Sequence, residues 1–193
     1  MRVTGGILGS RQIVVPRGGV RPTQDRVREA MFSSLAARIP GCRFLDLFAG
    51  SGAVGLDAWS RGAAAVWWVE RDPRTLAVLR RNVETLCGPR GGGGEAGQTW
   101  RIVPGDALRF LTAARETEPF DLIFADPPYD REDRFDWLTK SLHALGAGPM
   151  LAQQGIVIIE QAASQGVGVV PGWSLKDDRS YGESRLLRFE RAG

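Results

Sequence analysis

The chain has 193 residues, of which 43% are hydrophobic and 24% are charged, and this balance is typical of one globular unit with a full hydrophobic core. No apolar run approaches the roughly 20 residues needed to cross a bilayer, and the N-terminal residues lack the apolar stretch of a secretory signal. Two cysteines and one histidine without metal-ligand spacing argue against a disulfide scaffold and a metal site. We therefore expect a cytoplasmic protein that holds no metal and contacts no membrane.

The net charge of +3 is unevenly distributed along the chain. Residues 1–43 carry eight arginines against only Asp25 and Glu29, whereas lysine occurs only twice in the whole chain. Clustered basic residues mark surfaces that bind phosphate groups. The N-terminal segment is therefore interpreted as an arm that contacts a nucleic acid. The alternative is that arginine is simply the general basic residue of this chain.

The first predicted elements are a β-hairpin and a helix. Two alternating apolar runs, 2–8 and 11–15, flank a Gly-Ser pair that is typical of a turn. After a loop, apolar residues recur at helical spacing over 24–38, behind a threonine that can cap the helix. Residues 1–38 are thus predicted to form a basic N-terminal extension.

From residue 43 onward, strand and helix patterns alternate. The predicted strands are 43–47, 65–70, 99–104, 120–125 and 155–160, followed by 166–173 and 184–190. The predicted helices are 53–61, 73–86, 106–116 and 133–146, and the glycine-rich residues 88–97 are predicted to be a flexible loop. This alternation predicts an α/β fold in which a seven-stranded, mostly parallel sheet carries helices on both faces. Ligands of such sheets bind at the carboxyl ends of the strands.

A glycine-rich turn follows the first strand of the alternating part. The sequence Gly50-x-Gly52-x-x-Gly55 opens a helix and fits the dinucleotide-binding fingerprint, in which glycines let the backbone approach a ligand closely. Glu70 ends the next strand, about 20 residues further on, where an acid binds ribose hydroxyls. This region alone does not separate NAD from S-adenosylmethionine.

Two acidic residues favour S-adenosylmethionine. Asp46, at the strand end before the glycines, can hold the ammonium group of the methionine part, directly or through water. Asp106, at the end of the third strand, can accept a hydrogen bond from the adenine amino group. The alternative is that these acids only cap helices. The predicted cofactor-binding residues are Asp46, Phe48, Ala49, Gly50, Gly52, Glu70, Asp106 and Ala107.

The sequence Asp126-Pro127-Pro128-Tyr129, at the end of the fourth strand, is the most specific signal in the chain. The exocyclic amino group of a base is a poor nucleophile, because its lone pair is delocalised into the ring. The Asp126 carboxylate and the Pro127 carbonyl can hold both amino hydrogens and direct the lone pair at a methyl group, which stabilises the transition state. Tyr129 can stack on the base. Asp126, Pro127 and Tyr129 are the predicted catalytic residues, and the alternative is a rigid turn.

Together these motifs resemble the class I, Rossmann-like methyltransferases. The block RPTQDRVREAMF over 21–32, the hairpin before it and Arg179–Gly182 narrow the resemblance to the RsmD family of bacterial 16S rRNA guanine-N2 methyltransferases. The resemblance runs nearly end to end, and residues 88–97 are the main unmatched piece.

The resemblance implies one methyltransferase domain over 1–193 that acts as a monomer, uses S-adenosylmethionine and methylates a guanine of 16S rRNA in 30S particles. It also implies that Arg21, Thr23 and Arg26 lie near the cofactor and the target base, with Arg179–Gly182 bordering the same pocket. With the arginines of the arm included, the predicted RNA-binding residues are Arg11, Arg21, Thr23, Arg26, Arg28, Pro128, Arg179 and Tyr181.

Other functions fit parts of the sequence. An adenine-N6 DNA methyltransferase or a protein-glutamine methyltransferase would use the same Asp-Pro-Pro-Tyr chemistry, although the chain has no block large enough for a DNA target-recognition region. An NAD-binding oxidoreductase would explain the glycines and Glu70 but would leave Asp126 without a role. A non-catalytic RNA-binding module would need only the basic arm.

Overall fold

The structure is a computed structural model that describes residues 1–16, 25–88, 97–113, 118–128 and 136–193. Arg21, Thr23 and Tyr129, and nearly all of the predicted glycine-rich loop 88–97, lie outside the described residues. The outcome for those predictions is therefore left to experiment.

Seven strands and five α-helices occur within the described ranges. The strands are β1 (Arg43–Leu47), β2 (Ala65–Glu70), β3 (Thr99–Pro104), β4 (Phe120–Ala125), β5 (Leu151–Ala162), β6 (Trp173–Tyr181) and β7 (Ser184–Arg191). The helices are α1 (Asp25–Ser34), α2 (Ala53–Ser60), α3 (Pro73–Cys87), α4 (Ala107–Ala113) and α5 (Trp137–Gly146), and a 3₁₀ turn spans Ala36–Arg38. None of these described helices has the length and apolar character needed to cross a membrane.

The strands form one sheet in the order β3-β2-β1-β4-β5-β7-β6. Strands β1 to β5 pair in parallel, and β7 is antiparallel to both of its neighbours, β5 and β6. The chain moves outward from β1 to β3 and then returns to β4 on the other side of β1. The order therefore reverses between β1 and β4, which is where open α/β sheets bind their ligands. The predicted seven-stranded, mostly parallel sheet is confirmed.

Each face of the sheet carries its own hydrophobic core. Phe44 of β1 packs in the core beneath α1, α2 and α3, whereas the next residue, Leu45, packs in the core beneath α4 and α5. Trp68 of β2 is fully buried and lies against α2, where a Cβ on Gly55 would come within 2.2 Å of the indole nitrogen. The third glycine of the fingerprint is therefore required for close packing of α2 on the sheet. Helices cover both faces, as predicted.

The predicted strand at 166–173 is wrong, because the strand in this region is β6, which begins at Trp173. Residues 166–172 include three glycines and Pro171, which has no N–H to donate to a ladder. Strand β6 lies at the edge of the sheet and exposes most of its polar side chains, so its sequence lacks an apolar alternation. Its turn to β7 is formed by Gly182 and Glu183.

The predicted N-terminal hairpin is formed only at its base. Residues 1–16 turn back on themselves through a single antiparallel bridge between Arg2 and Gln12, and the runs 2–8 and 11–15 are not strands. Some backbone amides of the intervening loop bind each other, and others bind α2. Thr4 N–H donates to the Asp57 carboxylate at 2.6 Å, and Leu8 N–H donates to the Ser60 hydroxyl at 2.8 Å. The segment is therefore anchored on the helix that follows the glycine turn.

Candidate functional site

The predicted cofactor and catalytic motifs meet at the switch point of the sheet. A pocket at the carboxyl ends of β1 and β4 contains Asp126 together with Asp46 and the glycine turn. Its wall is formed by Met1, Val15, Pro16, Asp46, Phe48, Ala49, Gly50, Ser51, Ala53, Val54, Phe124 and Asp126. Two motifs that are about 80 residues apart in the sequence thus share one pocket because β1 and β4 are adjacent strands.

The glycine turn has an unusual backbone. Phe48 has a φ of 59°, a conformation that costs a residue with a side chain roughly 1–3 kcal/mol and that clusters at ligand-binding sites. The Phe48 ring packs edge-on against Trp137 of α5, with ring centroids 5.3 Å apart, and this contact helps to hold the conformation. Gly52 has a φ of 82°, and a Cβ there would lie 2.4 Å from a methyl group of Leu79. Any other residue at this position would have a strained backbone and would have to displace the Leu79 side chain.

Asp46 supports the turn from beneath. Its carboxylate is 1% exposed and accepts a hydrogen bond from Gly55 N–H, in the first turn of α2, at 2.9 Å. Burial raises the pKa of Asp46 well above its usual range, the Gly55 hydrogen bond opposes that rise, and the charge of Glu70 adds to it. Asp46 therefore has a structural role in the fold as well as a place in the wall of the pocket.

Glu70 connects two loops at the carboxyl end of the sheet. One of its carboxylate oxygens accepts from Gly50 N–H at 2.9 Å, and the other accepts from Asp72 N–H at 2.8 Å. A carboxylate has about four acceptor positions, so both hydrogen bonds leave room for ribose hydroxyls. The arrangement couples the position of Glu70 directly to the conformation of the glycine turn.

Asp106 has the geometry of a helix cap. Its carboxylate accepts from Arg109 N–H at 3.0 Å in the first turn of α4 and lies 3.9 Å from the Arg71 guanidinium. Its side chain is 31% exposed, so a cofactor can still reach it, and its predicted contact with adenine stays a prediction. Ala107, the next residue, is the first residue of α4 and is buried against the sheet.

Asn82 is a residue of the site that the sequence analysis missed. Its side-chain amide donates to Val14 O at 2.8 Å and to Ser51 O at 2.9 Å, and its oxygen accepts from Val14 N–H at 3.1 Å. One buried side chain of α3 thus links the N-terminal segment to the glycine turn. A signal was available, because Asn82 is polar and lies beside Leu79 and Val83 on the buried face of α3.

A second cavity of about 380 Å³ lies on the other side of the Asp-Pro-Pro sequence. Its wall is formed by Pro127, Pro128, Asp136, Trp137, Leu138, Thr139, Ile159, Glu160, Gln161, Gln165, Gly166 and Gly168. The motif therefore runs from the pocket of the glycine turn, at Asp126, to this cavity, at Pro127 and Pro128. The acceptors predicted to hold an amino group lie where the two spaces approach one another.

The prediction that Arg28 contacts RNA is wrong, because its side chain is completely buried. The Arg28 guanidinium forms a 2.8 Å ion pair with the buried carboxylate of Asp57 in α2 and a 3.0 Å ion pair with Asp25. It also donates to the carbonyl of Arg2. Arg28 therefore fastens the N-terminal segment and α1 to α2. A polar residue in the otherwise apolar Ala53–Trp59 stretch was the available signal for this pair.

The other described residues of the predicted RNA surface are accessible. Arg11 and Arg26 are exposed. Arg179 is half exposed on β6, where hydrogen bonds with Asp177 and Tyr181 raise its pKa above the usual value. Arg179 and Tyr181 also line a small groove against Met31 of α1. Their contact with RNA stays a prediction.

Comparisons with known proteins agree with this geometry. The sequence model of a family described as Conserved hypothetical protein 95 matches residues 1–190. The chain is 35% identical over 193 residues to the ribosomal RNA small subunit methyltransferase D of Escherichia coli K12, covering 99% of this chain and 90% of that protein. A putative rRNA methyltransferase of Bacillus subtilis is 34% identical over 162 residues, with 83% and 82% covered. The solved structure of a putative methyltransferase from Escherichia coli matches with a TM-score of 0.81 and 35% identity, over 99% of this chain and 97% of that one.

Proposed function

We propose a function from the premise that the chain belongs to the Conserved hypothetical protein 95 family, which includes its relatives named ribosomal RNA small subunit methyltransferase D. The resemblance to the RsmD family is thereby confirmed, and the chain is a methyltransferase. The proposed reaction is transfer of a methyl group from S-adenosylmethionine to the exocyclic N2 of one guanine in 16S rRNA. The observation that carries the proposal is the single pocket that contains both the glycine turn and Asp126.

The described residues fit S-adenosylmethionine. Asp46 and the backbone of the glycine turn would hold the methionine part, because an acidic wall complements its ammonium group. Glu70 would bind the ribose hydroxyls, and Asp106 would accept from the adenine amino group. When bound, this cofactor supplies a methyl group on a positively charged sulfonium, which is a good leaving group.

The protein's part in the reaction is to prepare the amino nitrogen. The Asp126 carboxylate and the Pro127 carbonyl accept the two amino hydrogens, so that the nitrogen becomes pyramidal and its lone pair points at the methyl group. Asp126 is also the general base: it accepts the proton that the nitrogen loses as the N–C bond forms. Trp137, held against Phe48, borders the cavity on the base side and offers an aromatic wall.

The arm of residues 1–43 would supply affinity for the phosphate backbone, since Arg11 and Arg26 are exposed and basic. We extend the proposal to a monomeric cytoplasmic enzyme acting on 30S particles, because a chain of 21.0 kDa offers little surface for reading RNA sequence. Shape and bound ribosomal proteins would then provide part of the specificity.

A tritium-transfer assay tests the proposed function. Protein and labelled S-adenosylmethionine are offered 30S particles, naked 16S rRNA and duplex DNA separately, and the labelled nucleosides are identified. Label in N2-methylguanosine from 30S particles supports the proposal. Label on adenine of DNA keeps the chemistry and overturns the substrate. Cofactor binding without label on any nucleic acid overturns the RNA assignment and redirects the search to protein substrates.

A further inference from the structure

Glu160 is a buried acid at the end of β5 that the proposed reaction does not use. Its side chain is 3% exposed, and it lines the 380 Å³ cavity together with Pro127. An acid in such a place requires a stabilising environment, because burial of an uncompensated carboxylate is costly. Glu160 already takes part in an interaction within the protein. A carboxylate has about four acceptor positions, so it can accept from a ligand in addition to a protein partner.

The register of the sheet places Glu160 next to Asp126. Ala125 of β4 pairs with Ile159 of β5 in a parallel ladder, so the following residues, Asp126 and Glu160, are neighbours at the ends of adjacent strands. Side chains alternate along a strand. Glu160 therefore shares a face with Ile158, and Asp126 shares a pocket with Phe124, both of which belong to the core beneath α1 to α3. Adjacent strands are about 4.8 Å apart, so Asp126 and Glu160 occupy neighbouring backbone positions on one side of the sheet, with Asp126 in the wall of the glycine-turn pocket and Glu160 in the wall of the adjoining cavity.

A pair of neighbouring acceptors matches only one of the two amino-bearing purines. Guanine presents the N1–H donor directly beside its N2 amino group, so its edge carries adjacent donors. Adenine presents an N1 lone pair beside its N6 amino group, and a carboxylate facing that lone pair would repel it. Enzymes that act on an extruded base read it through hydrogen bonds to this edge.

We propose that Glu160 selects guanine, by accepting the N1–H of the base while Asp126 and Pro127 hold its N2 amino group. This inference rests on the proposed function and deepens it, since it assigns the choice of base to a residue outside the Asp-Pro-Pro-Tyr sequence. Glu160 is a specificity-determining residue in this scheme, and Asp126 remains the residue at the reacting nitrogen.

The test uses RNA with 2-aminopurine in place of the target guanine. This base keeps the N2 amino group but has an N1 lone pair instead of N1–H. The methylated position is first mapped with the wild-type enzyme, and 30S particles are then assembled with either base at that position. The wild-type enzyme is expected to prefer guanine by about 10- to 100-fold in kcat/KM, the usual effect of a hydrogen bond to a charged group.

Glu160→Gln provides the second measurement. Its amide can donate to the N1 lone pair, so methylation of guanine is expected to fall about 10- to 100-fold while the preference for guanine over 2-aminopurine collapses. Cofactor affinity, measured by calorimetry, should stay at the wild-type value. Glu190→Gln is the matched control, because this acid lies at the opposite end of β7, paired with Ser174, and the change should leave both rates unchanged.

The outcomes separate the inference from the proposed function. Wild-type enzyme that methylates guanine but accepts 2-aminopurine equally well overturns the role of Glu160 and leaves the function standing, and this holds even if Glu160→Gln fails to fold. A variant that loses activity on both bases in equal proportion gives Glu160 a merely structural role and also overturns the inference. Wild-type enzyme that transfers no label to guanine overturns the proposed function and the inference together.

Discussion

At the residue scale, the proposed role of Asp126 can be tested separately from any contribution of this residue to the fold. It follows β4 and lines the shared pocket, and its backbone N–H donates a long hydrogen bond of 3.4 Å to Leu47 O. Its proposed role is confined to the transition state, because holding the amino hydrogens matters most when the nitrogen attacks. Substitution should therefore affect kcat more than binding.

We predict that Asp126→Ala raises the barrier by about 3 kcal/mol, the typical value of one positioned transition-state group. Asp126→Asn keeps a neutral acceptor and should lie between the wild type and the alanine variant. Single-turnover methylation of 30S particles measures both, and cofactor titration by calorimetry is the control. Wild-type turnover by Asp126→Ala would contradict the catalytic assignment.

Asp46 combines a structural role with its proposed role in cofactor binding. Because burial raises its pKa in the folded state, the folded protein binds more protons than the unfolded chain between the two pKa values. Stability therefore falls as pH rises from the ordinary aspartate range towards the raised pKa of the folded state. The hydrogen bond from Gly55 N–H needs only an acceptor, which an asparagine oxygen also provides.

We predict that Asp46→Asn raises the melting temperature at neutral pH by a few degrees and weakens cofactor binding, because the neutral amide removes a buried charge and no longer attracts an ammonium group. Thermal melts between pH 4 and 8 should show the gain shrinking towards acid pH. A pH-independent gain would contradict the assignment of the charge, and unchanged cofactor affinity would contradict the proposed contact.

At the scale of elements, buried polar pairs join the N-terminal segment to the body of the fold. The Arg28–Asp57 pair links residues 29 positions apart, and Asn82 reaches Val14 across 68 positions. Sequence patterns report local periodicity, so they could mark Asp57 and Asn82 as polar residues on buried faces but could not identify their partners. The apolar runs of β1, β2 and β4 did predict those strands correctly, because a parallel strand covered on both faces is largely apolar. The polar edge strand β6 carries no such pattern.

We predict that Arg28→Ala destabilises the protein by about 3–5 kcal/mol, since it leaves the Asp57 carboxylate buried without its cation. Arg26→Ala, on the same helix but exposed, is the matched control and should cost less than about 0.5 kcal/mol. Chemical denaturation measures both values. The double variant Arg28→Met with Asp57→Asn removes both charges and keeps an acceptor for Thr4 N–H, so it should recover part of the loss. Failure of Arg28→Ala to destabilise would contradict the buried ion pair.

We predict that Asn82→Leu loosens residues 10–16 and weakens cofactor binding, because it leaves polar backbone groups of Val14 and Ser51 without their partner. Hydrogen exchange at those residues should become faster, and the cofactor affinity should fall several-fold. Glu84→Ala, exposed on the same helix, is the control. Faster exchange with wild-type cofactor affinity would show that the link stabilises the segment but does not shape the pocket.

At the scale of the whole molecule, the sequence predicted where the motifs of the site meet, but it did not predict the residues that surround them. The glycine turn, Glu70 and Asp126 were identifiable because each motif ends a strand, and parallel strands bring their ends to one edge of the sheet. The role of Glu160 depends on the register between β4 and β5, which only the folded sheet provides. In the same way, the sequence did not show that Arg26 is exposed and Arg28 is buried, because this difference arises when α1 packs against α2.

The uneven charge of the molecule leads to a prediction about salt. If the arm contacts the RNA backbone, Arg11→Ala and Arg26→Ala should each weaken binding to 30S particles and reduce the slope of log K against log salt by about 0.7–0.9, the contribution of one neutralised phosphate. Arg80→Ala, exposed on α3 outside the arm, is the matched control and should leave the slope unchanged. Filter binding from 50 to 300 mM salt measures the three slopes. Equal losses for all three variants would indicate that only net charge matters, whereas no loss for Arg11 and Arg26 would move the RNA contact to another face of the protein.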